Sequence, residues 1–591
     1  MTKKKLYLLS LLSGVLFVLS WPPYGIPFLL FIAFVPLLMI EQAFSSGQYT
    51  GKRTLLFGLS YLTFFIWNIV TTFWVCNASI YGGAMAILAN SFLMAAVVWT
   101  YHIVKNRLLT SGFRLQASDF VFAIFWLAFE FFHHNWELTW PWLGLGNAFA
   151  SVPRCIQWYE YTGTGGGSLW VLTVNLMIHK YLKSKSQVPN PKSQVPIIVS
   201  VILIPIGISL GIYYSYEEKV NPVNIVVVQP NIDPYSEKFS GMNYQEQLER
   251  MMDLAKQKVD PTTDYLVFPE TALTEDIWEN DINLTSSVHH LREFIRSFQK
   301  LKIIAGAATA RIYEEGAPRP ASAYKFKNME GYYDQYNTSL QIDNSDSIQI
   351  YHKSKLVPGV ERMPYPFLFG FLEDYAIQLG GTSGSLATQE ERTVFYPAPS
   401  LPKGQPKVAS EAQVHTLAPP PSGETGEGVI APVICYESIF GEFVTEYVKK
   451  GANLIFIITN DGWWGNTPGY KQHLMYGRLR AIETRRSIAR SANTGISCFI
   501  NQRGDILQTT EWWEPAVIKG SININSAKTF YVRNGDIIWR VSFYVSIVIL
   551  LYAIVTSLRA RFVLRKTLAF AKRSGGARSE KDFGAKQSPR T

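Results

Sequence analysis

Seven apolar runs fill the first 217 residues of this 591-residue chain, and an eighth stands alone at 537–558. A helix that crosses a bilayer needs about 20 apolar residues, because it rises ~1.5 Å per residue through a hydrocarbon core ~30 Å thick. The runs cover 6–21, 27–40, 54–75, 82–104, 118–132, 166–178 and 195–213, the second and sixth being the shortest. Lys/Arg placement supports reading them as spans. Lys3, Lys4 and Lys5 precede the first run, and Lys52 and Arg53 follow the second. Lys105, Arg107 and Arg114 follow the fourth, and Lys180, Lys183, Lys185 and Lys192 the sixth. The alternate loops, around Pro23, Ser79 and Leu145, carry only Arg154. Basic residues gather on the cytoplasmic side, so both termini are expected there and the segment between the seventh and eighth spans outside. A soluble bundle of seven buried helices would explain neither this alternation nor the 17% of charged residues, against about 25% in ordinary soluble proteins. The first run resembles a signal peptide in its basic start, but Trp21-Pro22-Pro23 follows it with no small-x-small cleavage site. A retained helix is expected.

The net charge of +10 is local. Residues 559–591 hold ten Lys/Arg and two acids, so +8 lies in this tail and no basic face remains for a nucleic acid. The chain divides into a membrane region at 1–217, a globular domain at 218–528, a linker and last span at 529–558, and the basic tail at 559–591. Four cysteines exclude a disulfide scaffold. From about Val220, short β-rich runs alternate with amphipathic stretches, which suggests a layered α/β domain. Strands are expected at 224–229, 265–269, 303–307, 338–342, 348–352, 430–434, 454–459, 496–501 and 516–522. Helices are expected at 244–258, 286–300, 440–450 and 470–490. Residues 380–428 are rich in Pro, Gly, Ser and Thr and read as a long surface loop.

Three side chains stand at the ends of such strands. Cys435 closes Ile430-Ala-Pro-Val-Ile, Glu270 closes Tyr265-Leu-Val-Phe-Pro, and Lys353 follows Tyr351-His352. Taken singly each has an ordinary explanation: a small buried hydrophobe, a solvated turn acid, a surface lysine. Together they supply a nucleophile, a base and a cation that offsets an oxyanion. That set can run acyl transfer through a thioester.

Phe268-Pro-Glu270, Tyr351-His-Lys353 with Leu356-Val-Pro358, and Cys435-Tyr-Glu437 resemble the nitrilase superfamily in order and context. Val227-Val-Gln-Pro-Asn-Ile232, Thr459-Asn-Asp-Gly-Trp-Trp-Gly465, Gln472-His473, Arg490-Ser-Ala-Asn-Thr-Gly495 and Phe530-Tyr-Val-Arg-Asn-Gly-Asp536 narrow the resemblance to the apolipoprotein N-acyltransferases. The resemblance implies about eight transmembrane helices and an α-β-β-α sandwich domain facing the periplasm of a bacterial inner membrane. It implies Glu270 as general base, Lys353 as oxyanion stabiliser and Cys435 as nucleophile, assisted by Glu361, Tyr436 and Glu437. It further implies a phospholipid donor such as phosphatidylethanolamine and a diacylated apolipoprotein acceptor. Neither metal nor cofactor nor nucleic acid is expected, and a monomer is. The family's Lys-Trp pair after the first strand is Lys238-Phe239 here, displaced by one residue. The interval from Glu361 to Cys435 is longer than is usual in the family. A membrane-tethered amidase that gives its thioester to water is the alternative.

A substrate that stays in the bilayer explains the embedding, since withdrawing an acyl chain costs about 0.8 kcal/mol per CH₂. Trp142, Phe239, Phe367 and Trp463 are the candidate substrate-binding residues. Phe367 belongs to the apolar stretch 363–372, which reads either as an arm dipping into the outer leaflet or as core. Trp142 lies in a tryptophan-rich loop that either walls a lipid entrance or anchors the helices. Glu130 stands inside an apolar run and either hydrogen-bonds within the bundle or faces a lipid cavity. Gly163-Thr-Gly-Gly-Gly-Ser168 lacks the ending of a phosphate loop. Adjacent His133-His134 and His289-His290 do not share a helix face as metal ligands would. Cys76 and Cys155 lie near one face, and their pairing is open.

Overall fold

The computed structural model describes residues 1–110, 119–185, 194–239, 241–313, 316, 322–327, 330–365, 367, 385–397 and 428–579. Five helices are long and apolar enough to cross a membrane: Pro27–Ser45, Thr54–Thr72, Ile80–Leu109, Gln194–Ser215 and Ile537–Arg559. Helices Lys3–Ser20, Phe120–His134 and Tyr159–Lys185 stand at the other three expected places. Phe120–His134 is apolar but has only 15 residues, and Tyr159–Lys185 kinks at Gly163, whose φ is 60°. By length and composition, five helices among the described residues therefore qualify as spans. Helix Gln194–Ser215 is only 6% buried and Ile537–Arg559 only 11%. Apolar surfaces of that extent need lipid around them, and the chain is integrated into a membrane. The last helix continues past the apolar run to Ser579. Residues 580–591 of the basic tail, most of the 363–372 stretch and most of the 380–428 loop lie outside the described residues.

Among the described residues, the second half holds thirteen strands. They are β1 (Pro222–Gln229), β2 (Tyr265–Val267), β3 (Leu273–Trp278), β4 (Lys302–Tyr313), β5 (Tyr324–Lys325), β6 (Tyr332–Ile342), β7 (Gln349–His352), β8 (Ile430–Ile434), β9 (Leu454–Thr459), β10 (Ile488–Ala492), β11 (Cys498–Ile500), β12 (Ile506–Thr509) and β13 (Ala516–Asn523). The first sheet runs β13-β1-β2-β4-β6-β5, with β3 also on β4 and β7 on β6; the second runs β12-β11-β10-β9-β8. Side chains alternate across a strand, and here the alternation builds two cores. Ile225 and Val227 of β1 enter the core shared with β8, β9 and β10. Val226 and Val228 pack instead with Leu248, Met251, Val288 and Leu291 of helices Tyr244–Lys256 and Ser286–Ile295. Helices Gly441–Lys449 and Pro468–Thr484 cover the other sheet, completing an α-β-β-α sandwich. Strands buried on both faces read as continuous apolar runs, as β8 and β9 do.

Two expected helices end well short of their patterns. The 286–300 stretch ends at Ile295. The 470–490 stretch ends at Thr484, because Arg485 takes a left-handed φ of 51° and caps it. Residues Ile488–Ala492 then pair with β9 in parallel. Strand β3 was not expected, since Glu275 and Asp276 interrupt its apolar residues.

Candidate active site

The two sheets bring the three strand-end residues to one place. Glu270 follows β2 and Lys353 follows β7, both in the first sheet; Cys435 follows β8 in the second. Cys435 opens a 3-10 turn, Cys435–Ile439, with φ 48°, a conformation that costs a non-glycine residue energy and clusters at functional sites. Lys353 Nζ donates to Glu270 Oε1 at 2.9 Å and to Glu361 Oε1 at 2.8 Å. Asn337 Nδ2 donates to the same two oxygens at 2.8 and 3.0 Å, and the Asn460 N–H donates to Glu270 Oε2 at 3.0 Å. Burial alone would raise the Glu270 carboxyl, but the adjacent Lys353 cation and these hydrogen bonds hold it below its ordinary value. Burial likewise works against the Lys353 ammonium, and Glu270 and Glu361 push it well above the ordinary lysine range. Burial and the Glu270 charge drive the Cys435 thiol well up, opposed by Lys353. The resting sulfur is therefore a neutral thiol beside a carboxylate.

These groups line a cavity of about 880 Å³. Part of its wall comes from the helical half: Trp74, Val75, Ala78, Trp140 and Trp142. Trp463, Trp464 and Phe239 join them from the sandwich. Trp74 packs on Trp142 at 4.7 Å and on Trp464 at 4.8 Å, and Phe239 stacks on Trp463 at 6.1 Å. Phe367 is 88% exposed, with its ring near Tyr365, and is not among the wall residues. Residues 225–531, just over half of the chain, match the carbon-nitrogen hydrolase family. The chain belongs to the carbon-nitrogen hydrolase family.

Residues 13–177 match a second model, the apolipoprotein N-acyltransferase N-terminal domain. The apolipoprotein N-acyltransferase of Chlorobaculum tepidum is 29% identical over 93% of this chain and 97% of that protein. That of Geobacter metallireducens is 26% identical over 90% of this chain and 92% of that protein. Among solved structures, a Nesterenkonia amidase of the nitrilase superfamily matches 53% of this chain and 93% of its own, at 14% identity and a TM-score of 0.32.

Two further sets of contacts hold the site of this carbon-nitrogen hydrolase. Glu437 Oε1 accepts from Tyr351 OH at 2.6 Å and from the Ser354 N–H at 2.7 Å, while Oε2 accepts from the Ile434 N–H at 2.9 Å. One buried carboxylate thus ties the segment carrying Lys353 to the strand carrying Cys435. Behind Cys435, His473 Nε2 lies 3.1 Å from the Cys435 carbonyl oxygen and 2.9 Å from Ser438 Oγ. His473 Nδ1 lies 2.9 Å from Asp461 Oδ1, and Arg490 Nη2 donates to Asp461 Oδ2 at 2.6 Å. Residues 459–495 were legible as a family motif, but nothing in their spacing shows that they back onto Cys435. Asn337 carried no signal in sequence for its place here; Lys238, noted in sequence only through the family's Lys-Trp pair, donates its ammonium to the Glu270 carbonyl at 3.0 Å.

The sandwich and the helices are pinned together beside the site. Tyr436 OH donates to the Thr139 carbonyl at 2.8 Å. Gln472 accepts from Trp142 Nε1 at 2.7 Å and donates to the Pro22 carbonyl at 2.8 Å. Glu130 hydrogen-bonds within the bundle: it accepts from Trp539 Nε1 at 2.9 Å and from the Leu145 N–H at 2.9 Å. Cys76 and Cys155 are free thiols.

Proposed function

We propose that this chain is an apolipoprotein N-acyltransferase that moves a fatty acyl chain from a membrane phospholipid to the N-terminal amine of a diacylated lipoprotein. The observation that carries this reading is the shared cavity: a thiol, a carboxylate and an ammonium on one side, membrane-helix tryptophans on the other. In the first half, Glu270 takes the Cys435 proton as the sulfur attacks the phospholipid ester carbon. Lys353 Nζ offsets the charge on the tetrahedral oxygen. The C–O bond breaks, the lysophospholipid oxygen takes the proton from Glu270, and a thioester remains. In the second half the lipoprotein amine attacks that thioester. Glu270 takes a proton from the nitrogen, the C–S bond breaks and the proton returns to sulfur. Glu361 holds Lys353, and Tyr436 and Glu437 hold the segments that carry the nucleophile and the cation.

The basic clusters at 3–5, 52–53, 105–114 and 180–192 orient the helices with both termini in the cytoplasm. The sandwich, with boundaries near 218 and 528, then stands in the periplasm on an inner membrane. Phosphatidylethanolamine fits as donor, and the site needs one copy of the chain. Intact mass of the purified protein after exposure to phospholipid alone tests the reading. A gain of one acyl group, removed by hydroxylamine, is expected. A protein that releases free fatty acid and never acylates a diacylated lipopeptide would instead be a hydrolase.

A further inference from the structure

The residues that line the cavity include two sets besides the Glu270–Lys353–Cys435 cluster, which we call its two arms. One is the tryptophan-lined arm shared with the membrane helices. The other is built by the sandwich alone, and β4 measures it. Gly306 lies against Glu270, so closely that a Cβ there would come within 2.6 Å of the Glu270 Cα. Ala308 and Ala310 of the same strand line the cavity beyond it. Ala308 pairs with Asn337 and Ala310 with Gln335 across the ladder, and both partners also line the cavity. Four residues from Gly306 to Ala310 span about 13 Å at ~3.3 Å per residue. At the far end Trp278, Phe326 and Tyr333 form a ring cluster, with centroids 6.0, 5.9 and 4.7 Å apart. Two alanines on the floor leave room, and the aromatic cluster makes an end wall. The length suits about four residues of extended peptide.

The inner end of this arm has an open polar valence. The Asn337 amide cannot turn over, because its nitrogen donates to both Glu270 and Glu361. Its Oδ1 is thereby fixed, buried, and without a partner among the described residues. Thr274 Oγ1, also on the cavity wall, is buried and unpartnered too. A buried acceptor left unpaired is costly, and an incoming N–H donor removes that cost.

We propose that this second arm is the acceptor subsite: the lipoprotein amine donates a hydrogen bond to Asn337 Oδ1, and the peptide after its first cysteine runs out over the face of the paired strands β4 and β6 to Trp278, Phe326 and Tyr333. This rests on the acyl-transfer reading above. The amine's lone pair then attacks the thioester carbon; the C–N bond forms, the C–S bond breaks and one amine proton passes through Glu270 to sulfur. Acyl chains of donor and acceptor stay in the tryptophan arm, so the two substrates share their lipid side and differ on the peptide side.

Because the reaction has two halves, the subsite can be tested by itself. Trp278→Ala and Tyr333→Ala are compared with wild type on two acceptors: diacylglyceryl-cysteine amide and the same group followed by four residues. The expected result is acyl-enzyme formed from phospholipid to the wild-type extent, transfer to the short acceptor unchanged, and KM for the long acceptor raised about tenfold. Equal losses on both acceptors, a loss in acyl loading, which would mean that the donor headgroup uses this arm, or no change on either acceptor would overturn the proposal. A second measurement uses wild-type protein and a long acceptor with a photoreactive fourth residue. Labelling of Trp278 or of 322–336 is expected, and labelling at Trp74, Trp140 or Trp142 instead would overturn it. Wild-type protein that never gains an acyl group would sink the transfer reading as well; normal loading with misplaced labels would sink the subsite alone.

Discussion

Two buried charge clusters flank Cys435, and they are built differently. In front, Glu270 and Glu361 share one ammonium, and Glu270, Lys353 and Glu361 all line the cavity. Behind, Asp461 is matched to Arg490 and His473, and of these only His473 reaches the cavity wall. The front cluster keeps a carboxylate in excess of its cation, so it can receive a proton. The rear cluster has its carboxylate matched to a guanidinium, so its contribution is to hold the Cys435 carbonyl and with it a left-handed backbone. A buried ion pair that faces a cavity does chemistry; one sealed behind it sets geometry.

The largest expected effect separates the two. Glu270→Gln removes the base while keeping a side chain of the same shape. Acyl-enzyme formation, read by intact mass against time, should slow by about 10²–10⁴ with little change in melting temperature. Asp461→Asn should do the reverse. It leaves Arg490 buried without its charge partner and should cost about 3–5 kcal/mol of stability, measured by thermal unfolding in detergent. If Asp461→Asn unfolds like wild type but loses acyl loading, the rear cluster takes part in the chemistry and the contrast fails.

Glu437 lies between these extremes. Its oxygens accept from Tyr351 OH and from the N–H groups of Ser354 and Ile434. Glu437→Gln sets an amide donor against donors, and the Lys353 segment shifts relative to Cys435. Displacements of about 1 Å in such sites cost on the order of 10² in rate, so acyl loading should fall by about that much. Addition of unrelated amines should not rescue it, because nothing has been lost that an amine supplies.

pH sharpens the contrast without a mutation. Glu270 is held below its ordinary value, Lys353 above its own, and the Cys435 thiol is raised. Each keeps its resting state across the neutral range, so acyl loading should be flat between about pH 5.5 and 8.5. Transfer should climb through about pH 7–8, where the acceptor's α-amine loses its proton. A loading rate that rises across the same interval would mean that the attacking sulfur titrates there as a free thiolate. Asp461 is held well below the usual carboxylate range: burial raises it, and Arg490 and His473 more than offset this. A depressed value stabilises the fold fully above the unfolded carboxyl's pKa of about 3.9, and the contribution is lost only as pH falls through the lower folded value.

The sequence carried some of this plainly. Residues 430–434 and 454–459 were legible to the residue as strands, because they are apolar on both faces. The strand-end places of Glu270, Lys353 and Cys435 followed from the same runs. Residues 485–492 were not legible as a helix end and a strand, because Arg485-Arg486-Ser487 contains neither glycine nor proline to mark the left-handed residue. Eight membrane spans were counted in sequence, and five of them are matched among the described residues by helices that qualify in length and composition, while Tyr159–Lys185 mixes glycines and charges into its length. The partners of the site were hidden for a simpler reason. Asn337 lies 67 residues from Glu270, and His473 lies 38 from Cys435. Pairing of β2, β4 and β6 within the first sheet brings Asn337 to Glu270, and helix Pro468–Thr484 packed on the second sheet brings His473 to Cys435.

The smallest expected effect belongs to Phe239, and it tests the cavity rim against its interior. Its ring stacks on Trp463 and is 41% exposed, whereas its neighbour Lys238 is buried with its ammonium on the Glu270 carbonyl. Burial lowers the Lys238 ammonium to about 8. Aromatic pairs contribute about 0.5–1.5 kcal/mol, and a half-exposed one belongs at the low end. Phe239→Ala should therefore raise the KM for phospholipid in mixed micelles about threefold and leave kcat unchanged. If kcat falls as far as in Glu437→Gln, the ring is fixing Lys238 beneath Glu270. The rim would then belong with the charge cluster it covers, and the lipid would have to find its contacts on the tryptophans of the wall, Trp142 and Trp463 among them.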